Sequence, residues 1–96
     1  MSKVYISGQI TGANFIEDRL RFSDAQELIS GRGDTAVNPI YLCTSAYDSQ
    51  NSMRRRIKAL MDCDEIYMLK GWKTSKSARL EHFIALKLNI KITLEK

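Results

Sequence analysis

The sequence predicts a small doubly wound α/β sheet, mainly parallel, with its elements in β-α-β-α-β-α-β order. Three observations predict it. Short β-prone runs recur at Val4-Tyr5-Ile6, Thr35-Ala36-Val37, Glu65 to Leu69 and Ile90 to Leu94. The longer stretches between them carry apolar residues at helical spacing. At 96 residues there is room for one domain, residues 1–96, and no second core.

The first run ends at Ser7-Gly8. Asn14 and Glu17 have the spacing of an N-cap and its return partner. Phe15, Leu20, Ala25, Leu28 and Ile29 then continue a helical face until Gly31 and Gly33 stop it. The second strand is broken by Asn38-Pro39. Ile40 to Gln50 shows no period and reads as a loop. Asn51 or Ser52 is expected to cap a second helix with the face Met53, Ile57, Leu60 and Met61. After the third strand, Lys70 to Lys76 forms a loop. A third helix follows from about Ser77 to Leu88, with Ala78, Phe83 or Ile84, Ala85 and Leu88 inward. Ile90, Ile92 and Leu94 alternate as the last strand.

Strands joined by helices run parallel, with right-handed crossovers and helices on both faces. The expected architecture is therefore Rossmann-like or flavodoxin-like. Such sheets bind ligands beyond the carboxyl ends of the strands, where strand order reverses. That edge gathers Ser7 to Gly12, Asn38 to Asn51 and Lys70 to Ser77, along with the helix starts and their free N–H groups.

Composition narrows the class. The chain is 44% apolar and 27% charged, ordinary values for a folded domain. No apolar run reaches the ~20 residues of a membrane span, and no leader-like stretch precedes Gly8. Cys43 and Cys63 lack metal-ligand spacing, so a reducing, cytoplasmic setting with buried thiols and no metal is expected. Fifteen Lys and Arg against eleven Asp and Glu leave a net charge of +4. That excess favours anionic partners.

Three segments in order carry a resemblance: Val4-Tyr5-Ile6-Ser7-Gly8-Gln9-Ile10-Thr11-Gly12, Asp62 to Leu69, and Gly71-Trp72-Lys73-Thr74-Ser75-Lys76-Ser77-Ala78-Arg79-Leu80-Glu81. With Asn38-Pro39 and Met53-Arg54 between them, the chain resembles the nucleoside 2-deoxyribosyltransferase-like superfamily. It is most similar to a small domain-of-unknown-function subfamily of bacteria and their phages.

The resemblance implies a pocket for a (deoxy)ribonucleoside or its 5′-monophosphate, with no cofactor. A glutamate at the position of Glu81 attacks the anomeric carbon, the base leaves, and a second base or water takes the glycosyl group. Such an enzyme is a transferase or an N-glycosidic-bond hydrolase. A tyrosine at the position of Tyr5 orients the glutamate. Gly8, Gln9, Ile10, Ser75 and Ser77 match the sugar and phosphate side, Asn38 is a further substrate-binding residue, and Trp72 matches a wall for the base. The resemblance also implies a homodimer in which one subunit completes the other's site.

The sequence departs from its relatives at three positions. The usual Met-Arg-x-Asp is here Met53-Arg54-Arg55-Arg56, so Arg56 replaces a carboxylate that contacts the nucleoside. Arginine stays protonated and is no general acid at neutral pH, but it holds a phosphate or a carboxylate well. Gln9 replaces a proline and Ser77 a glycine. Asp48 is a candidate to supply the missing carboxylate.

Each residue also has a plainer reading. By composition alone Glu81 is a surface residue of the third helix, and Tyr5 belongs to a sheet face. Ser75 or Ser77 caps that helix, and Trp72 is packing. Arg54-Arg55-Arg56 with Lys58 is a solvated face. His82, the only histidine, is packing or surface, and Arg32-Gly33-Asp34 is a turn. Two other functions compete with catalysis: a catalytically inactive nucleotide-binding module, or a basic phage-type protein that binds nucleic acid or a host partner. The last ranks lowest, because few aromatics interleave with the basic residues.

Overall fold

The computed structural model describes residues 2–9, 15–42 and 49–95. The elements follow the expected order: β1 (Lys3–Ser7), α1 (Phe15–Gly31), β2 (Thr35–Val37), α2 (Ser49–Met61), β3 (Glu65–Met68), α3 (Lys76–Lys87) and β4 (Lys91–Leu94). Single 3-10 turns occupy Pro39–Leu42 and Trp72–Thr74.

The sheet has the order β2-β1-β3-β4 with every pair parallel. The chain moves outward from β1 to β2, then crosses back to β3, so the order reverses between β1 and β3. Right-handed crossovers therefore place α1 on one face and α2 and α3 on the other. The core divides accordingly. Val4, Ile6, Tyr67 and Leu69 pack with Phe22, Ala25 and Ile29 of α1. Tyr5, Ile66 and Met68 pack with Leu60, Ala78 and Ala85 of α2 and α3. Alternation along β1 sends Tyr5 and Ser7 to the α2/α3 side. No helix among the described residues is long and apolar enough to cross a membrane.

Several helix faces differ from the expected ones. On α1, Leu20 and Leu28 are 59% and 53% exposed, and the buried stripe is Asp18, Phe22, Ala25 and Ile29. The expected face skipped Asp18 because it is charged. Asn14 and the Phe15 side chain lie outside the described residues. On α2, which begins at Ser49 rather than after Asn51 or Ser52, Arg56 and Leu60 are buried while Met61 is exposed. The expected loop from Ile40 to Gln50 thus holds a 3-10 turn and the first residues of α2. On α3, Ala78, Glu81 and Ala85 form the buried stripe, and Phe83 and Leu88 face outward. Leu94 of the edge strand β4 is also exposed.

At the amino edge, buried Glu65 accepts hydrogen bonds from Arg32 at 3.2 Å and Thr93 at 2.9 Å. This cluster ties β3, β4 and the turn after α1 together, well away from the carboxyl edge.

Candidate functional site at the carboxyl edge of β1 and β3

Ser75 opens α3. Its backbone is extended and its Oγ accepts from the Ala78 N–H at 3.2 Å, one of the donors a helix start leaves without an intrahelical partner. Glu81 stands six residues further on, three after Ala78 and four before Ala85. That spacing fixes it on the face turned to the sheet.

The side chain lands beside the end of β1. Tyr5 donates its phenolic O–H to Glu81 Oε2 at 2.6 Å, and Ser7 donates its Oγ–H to Oε1 at 2.7 Å. All three residues are essentially fully buried. Each carboxyl oxygen thus receives one short hydrogen bond. Burial pushes the Glu81 carboxyl above the usual carboxylate range, while the Tyr5 and Ser7 hydrogen bonds and the Arg56 charge pull it back.

Arg56 comes to the same place from α2. It is only 8% exposed. Its Nη2 donates to Met53 Sδ at 3.2 Å, a weak acceptor, and its buried Nε–H has no partner. Among the described residues no carboxylate forms an ion pair with it. A buried carboxylate and a buried guanidinium therefore share one region without touching.

Gly8 continues β1 past Ser7. A Cβ on Gly8 would sit 2.9 Å from Leu69 Cβ, so β1 and the end of β3 approach closely only because this residue has no side chain. The Leu69 N–H donates to the Ser7 carbonyl at 2.8 Å and extends the ladder there. The position expected to line the ligand thus has a packing reason of its own. Gln9 bridges neighbours: its carbonyl accepts from Arg21 and its side-chain oxygen from Thr74. Ile10 lies outside the described residues, as do Asp48 and Cys43.

Asn38 is not brought to Glu81. Its side-chain oxygen accepts from the Ile40 N–H and its amide donates to Gln26 of α1. It forms an Asx turn after β2, on the α1 side. Trp72 stacks on His82, with ring centroids 4.5 Å apart, and borders a hollow over the ends of β3 and β4 that Glu81 does not line. One indole face is thereby occupied, which also gives His82 its packing role. Ser75 and Ser77 sit 3.1 Å apart, Oγ to Oγ, in the first turn of α3.

Sequence reasoning missed two residues. Ser7 lies at the expected ligand edge and within the first motif but was given no role of its own, although its i, i+2 relation to Tyr5 puts both hydroxyls on one sheet face. Asp18 is 2% exposed in the first turns of α1 and pairs with Arg21 at 3.0 Å. Its place in the stripe Asp18, Phe22, Ala25 is the signal that would have found it. Among the described residues no cluster of His, Cys, Asp or Glu has the arrangement of a metal site.

No curated protein and no solved structure matches the chain. A family model described as a domain of unknown function (DUF4406) matches residues 2–94, nearly the whole chain, and the protein belongs to that family.

Proposed function

We propose that this domain binds a (deoxy)ribonucleoside or nucleotide with its sugar against Glu81, and that Glu81 acts on the N-glycosidic bond. The observation that carries the reading is the paired donation from Tyr5 and Ser7 to a buried carboxylate at the switch point of the sheet. A carboxyl group shielded from bulk water and aimed by two hydroxyls suits a displacement at an anomeric carbon once it has lost its proton. A glycosyl ester on Glu81 would split one hard step into two easier ones. The ordered motifs from Val4 to Glu81 support the same class of ligand.

Free-base release from a panel of nucleosides and 5′-monophosphates tests the proposal. Base should appear with the native chain and vanish with Glu81→Ala. No turnover across the panel would remove the enzyme from consideration.

A second reading, a nucleotide-binding module without turnover, is favoured by Arg56. Its guanidinium lies in the field of Glu81, at the position where the resembled relatives carry an aspartate, and it cannot protonate a leaving base. A module stabilises with ligand, by about 2.7 kcal/mol at a hundredfold excess over Kd, and releases no base. Hydrolysis gained on Arg56→Asp would favour this account of the replacement.

Homodimerisation belongs to the same proposal, as does a reducing, cytoplasmic setting. Leu80, Phe83 and Leu86 are all exposed on α3, and an apolar face of that kind is usual at subunit contacts. Sedimentation as a monomer at micromolar concentration would count against pairing.

A further inference from the structure

Arg56 is the least satisfied group in the described part of the molecule. Its Nε–H is buried without a partner, and its Nη2 reaches only a thioether. A buried donor on a charged group is unfavourable to leave unmade. Arginine presents five N–H donors in a planar fork that matches the oxygens of a carboxylate or phosphate.

Glu81 is not the missing partner. Its two oxygens already take hydrogen bonds from Tyr5 and Ser7, and no ion pair joins it to Arg56. The rest of α2 adds no counter-charge: the helix reads SQNSMRRRIKALM, with Arg54, Arg55 and Lys58 beside Arg56 and no carboxylate. Its N-terminus lies at the carboxyl edge of the sheet, because α2 leads into β3 from there. The backbone N–H groups of that first turn add partial positive charge at the same edge.

We infer that Arg56 is an oxyanion anchor, so that the Glu81 site takes ligands bearing a phosphate or carboxylate, the anion seated on the Arg56 guanidinium and an uncharged part of the ligand against Glu81. The inference rests on the ligand reading of the Glu81 site and narrows it. Neutral nucleosides leave the guanidinium unanswered, whereas anionic ones satisfy it. Arg56 thereby selects among ligands and takes no part in proton transfer.

The test is thermal stabilisation of the full chain by sodium phosphate, sodium acetate, 2-deoxyribose and 2-deoxyribose 5-phosphate, followed by calorimetry on whichever binds. The phosphate and acetate arms separate the two kinds of anion. The expected result is binding of 2-deoxyribose 5-phosphate but not 2-deoxyribose. R56Q should weaken that binding roughly ten- to hundredfold, the range of one hydrogen bond to a charged group. R56K, which keeps the charge but loses the fork, should fall between. Should R56Q fail to fold, the native chain still decides. Its Arg56 Nε–H resonance, assigned by its absence in R56K, must shift on phosphate titration.

Equal binding of the neutral sugar, unchanged affinity in R56Q, an unmoved Arg56 resonance, or no binding of any anion would each overturn the inference. Failure of the nucleoside reading looks different. In that case phosphate or sugar phosphate binds through Arg56 while nucleosides and nucleotides do not, and the anchor stands.

Discussion

Ser7 and Glu81, 74 residues apart in sequence, are joined by a 2.7 Å hydrogen bond that ties the end of β1 to the middle of α3. Tyr5 makes the matching bond to the other oxygen. The pair fixes the carboxylate on the sheet rather than leaving it on the helix surface.

Removing either donor leaves a buried carboxylate oxygen short of its partner. Ser7→Ala and Tyr5→Phe should each lower stability by about 1–3 kcal/mol, the range for leaving a buried polar group without its partner. Urea unfolding measures it. A change under about 0.5 kcal/mol, typical of surface substitutions, would mean the bonds contribute nothing.

The raised Glu81 carboxyl makes a prediction about pH. In the folded chain the group holds its proton to higher pH than its ordinary value of 4.5, chiefly because it is buried. Between 4.5 and that higher native value the folded state binds more protons than the unfolded state, so stability falls as pH rises. The native chain should therefore lose ground to Glu81→Gln from pH 4.5 toward neutrality, with the difference levelling off above the native value. Unfolding free energies of both proteins across this window check it. A constant difference would contradict the burial argument.

Gly8→Ala forces a methyl group against the Cβ and Cδ1 atoms of Leu69, both 2.9 Å away. Leu69 is 1% exposed and has little room to move. The expected loss is about 1–3 kcal/mol, as for other overpacked cores. In a domain of this size that lowers Tm by at least ~4 °C. An unchanged Tm would show that the ends of β1 and β3 yield easily.

Cys63 is 6% exposed, its Sγ–H donates to the Ala59 carbonyl, and burial pushes its thiol up to about 11. Reactivity follows the thiolate, so the native group should resist thiol reagents at pH 8. A chain with Cys43→Ser isolates it. Labelling should become rapid only on unfolding, and fast labelling of the folded chain would place the thiol outside the core.

The strands were the most legible part of this sequence. Thr35-Ala36-Val37 is a β-prone run ended by Asn38-Pro39, and it forms a strand of those residues. The helix faces were less so, for one physical reason. Counting apolar residues skips buried charges, and both α1 and α2 bury one at the stripe position, Asp18 and Arg56. The true stripe then appears rotated onto Leu20 and Leu28, or onto Met61, which are exposed. Glu81 was legible through its motif and also through its spacing from Ala78 and Ala85. Ser7 was legible as an edge residue, but its donation to Glu81 was not, because a small polar residue before a glycine also reads as a plain strand end. Asn38 looked like a ligand contact in a one-dimensional motif, but its side chain bonds to Gln26 and Ile40.

In the proposed function the Glu81 carboxyl group, held by Tyr5 and Ser7, faces a bound nucleoside or nucleotide. Amide NMR titration of the full chain with a panel of nucleosides and 5′-monophosphates decides it. Saturable shifts centred on Ser7, Gly8, Leu69, Ser77 and Glu81 are expected, weakened in Glu81→Gln. Shifts confined to the Glu65 edge of the sheet, or no shifts with any member of the panel, would contradict it.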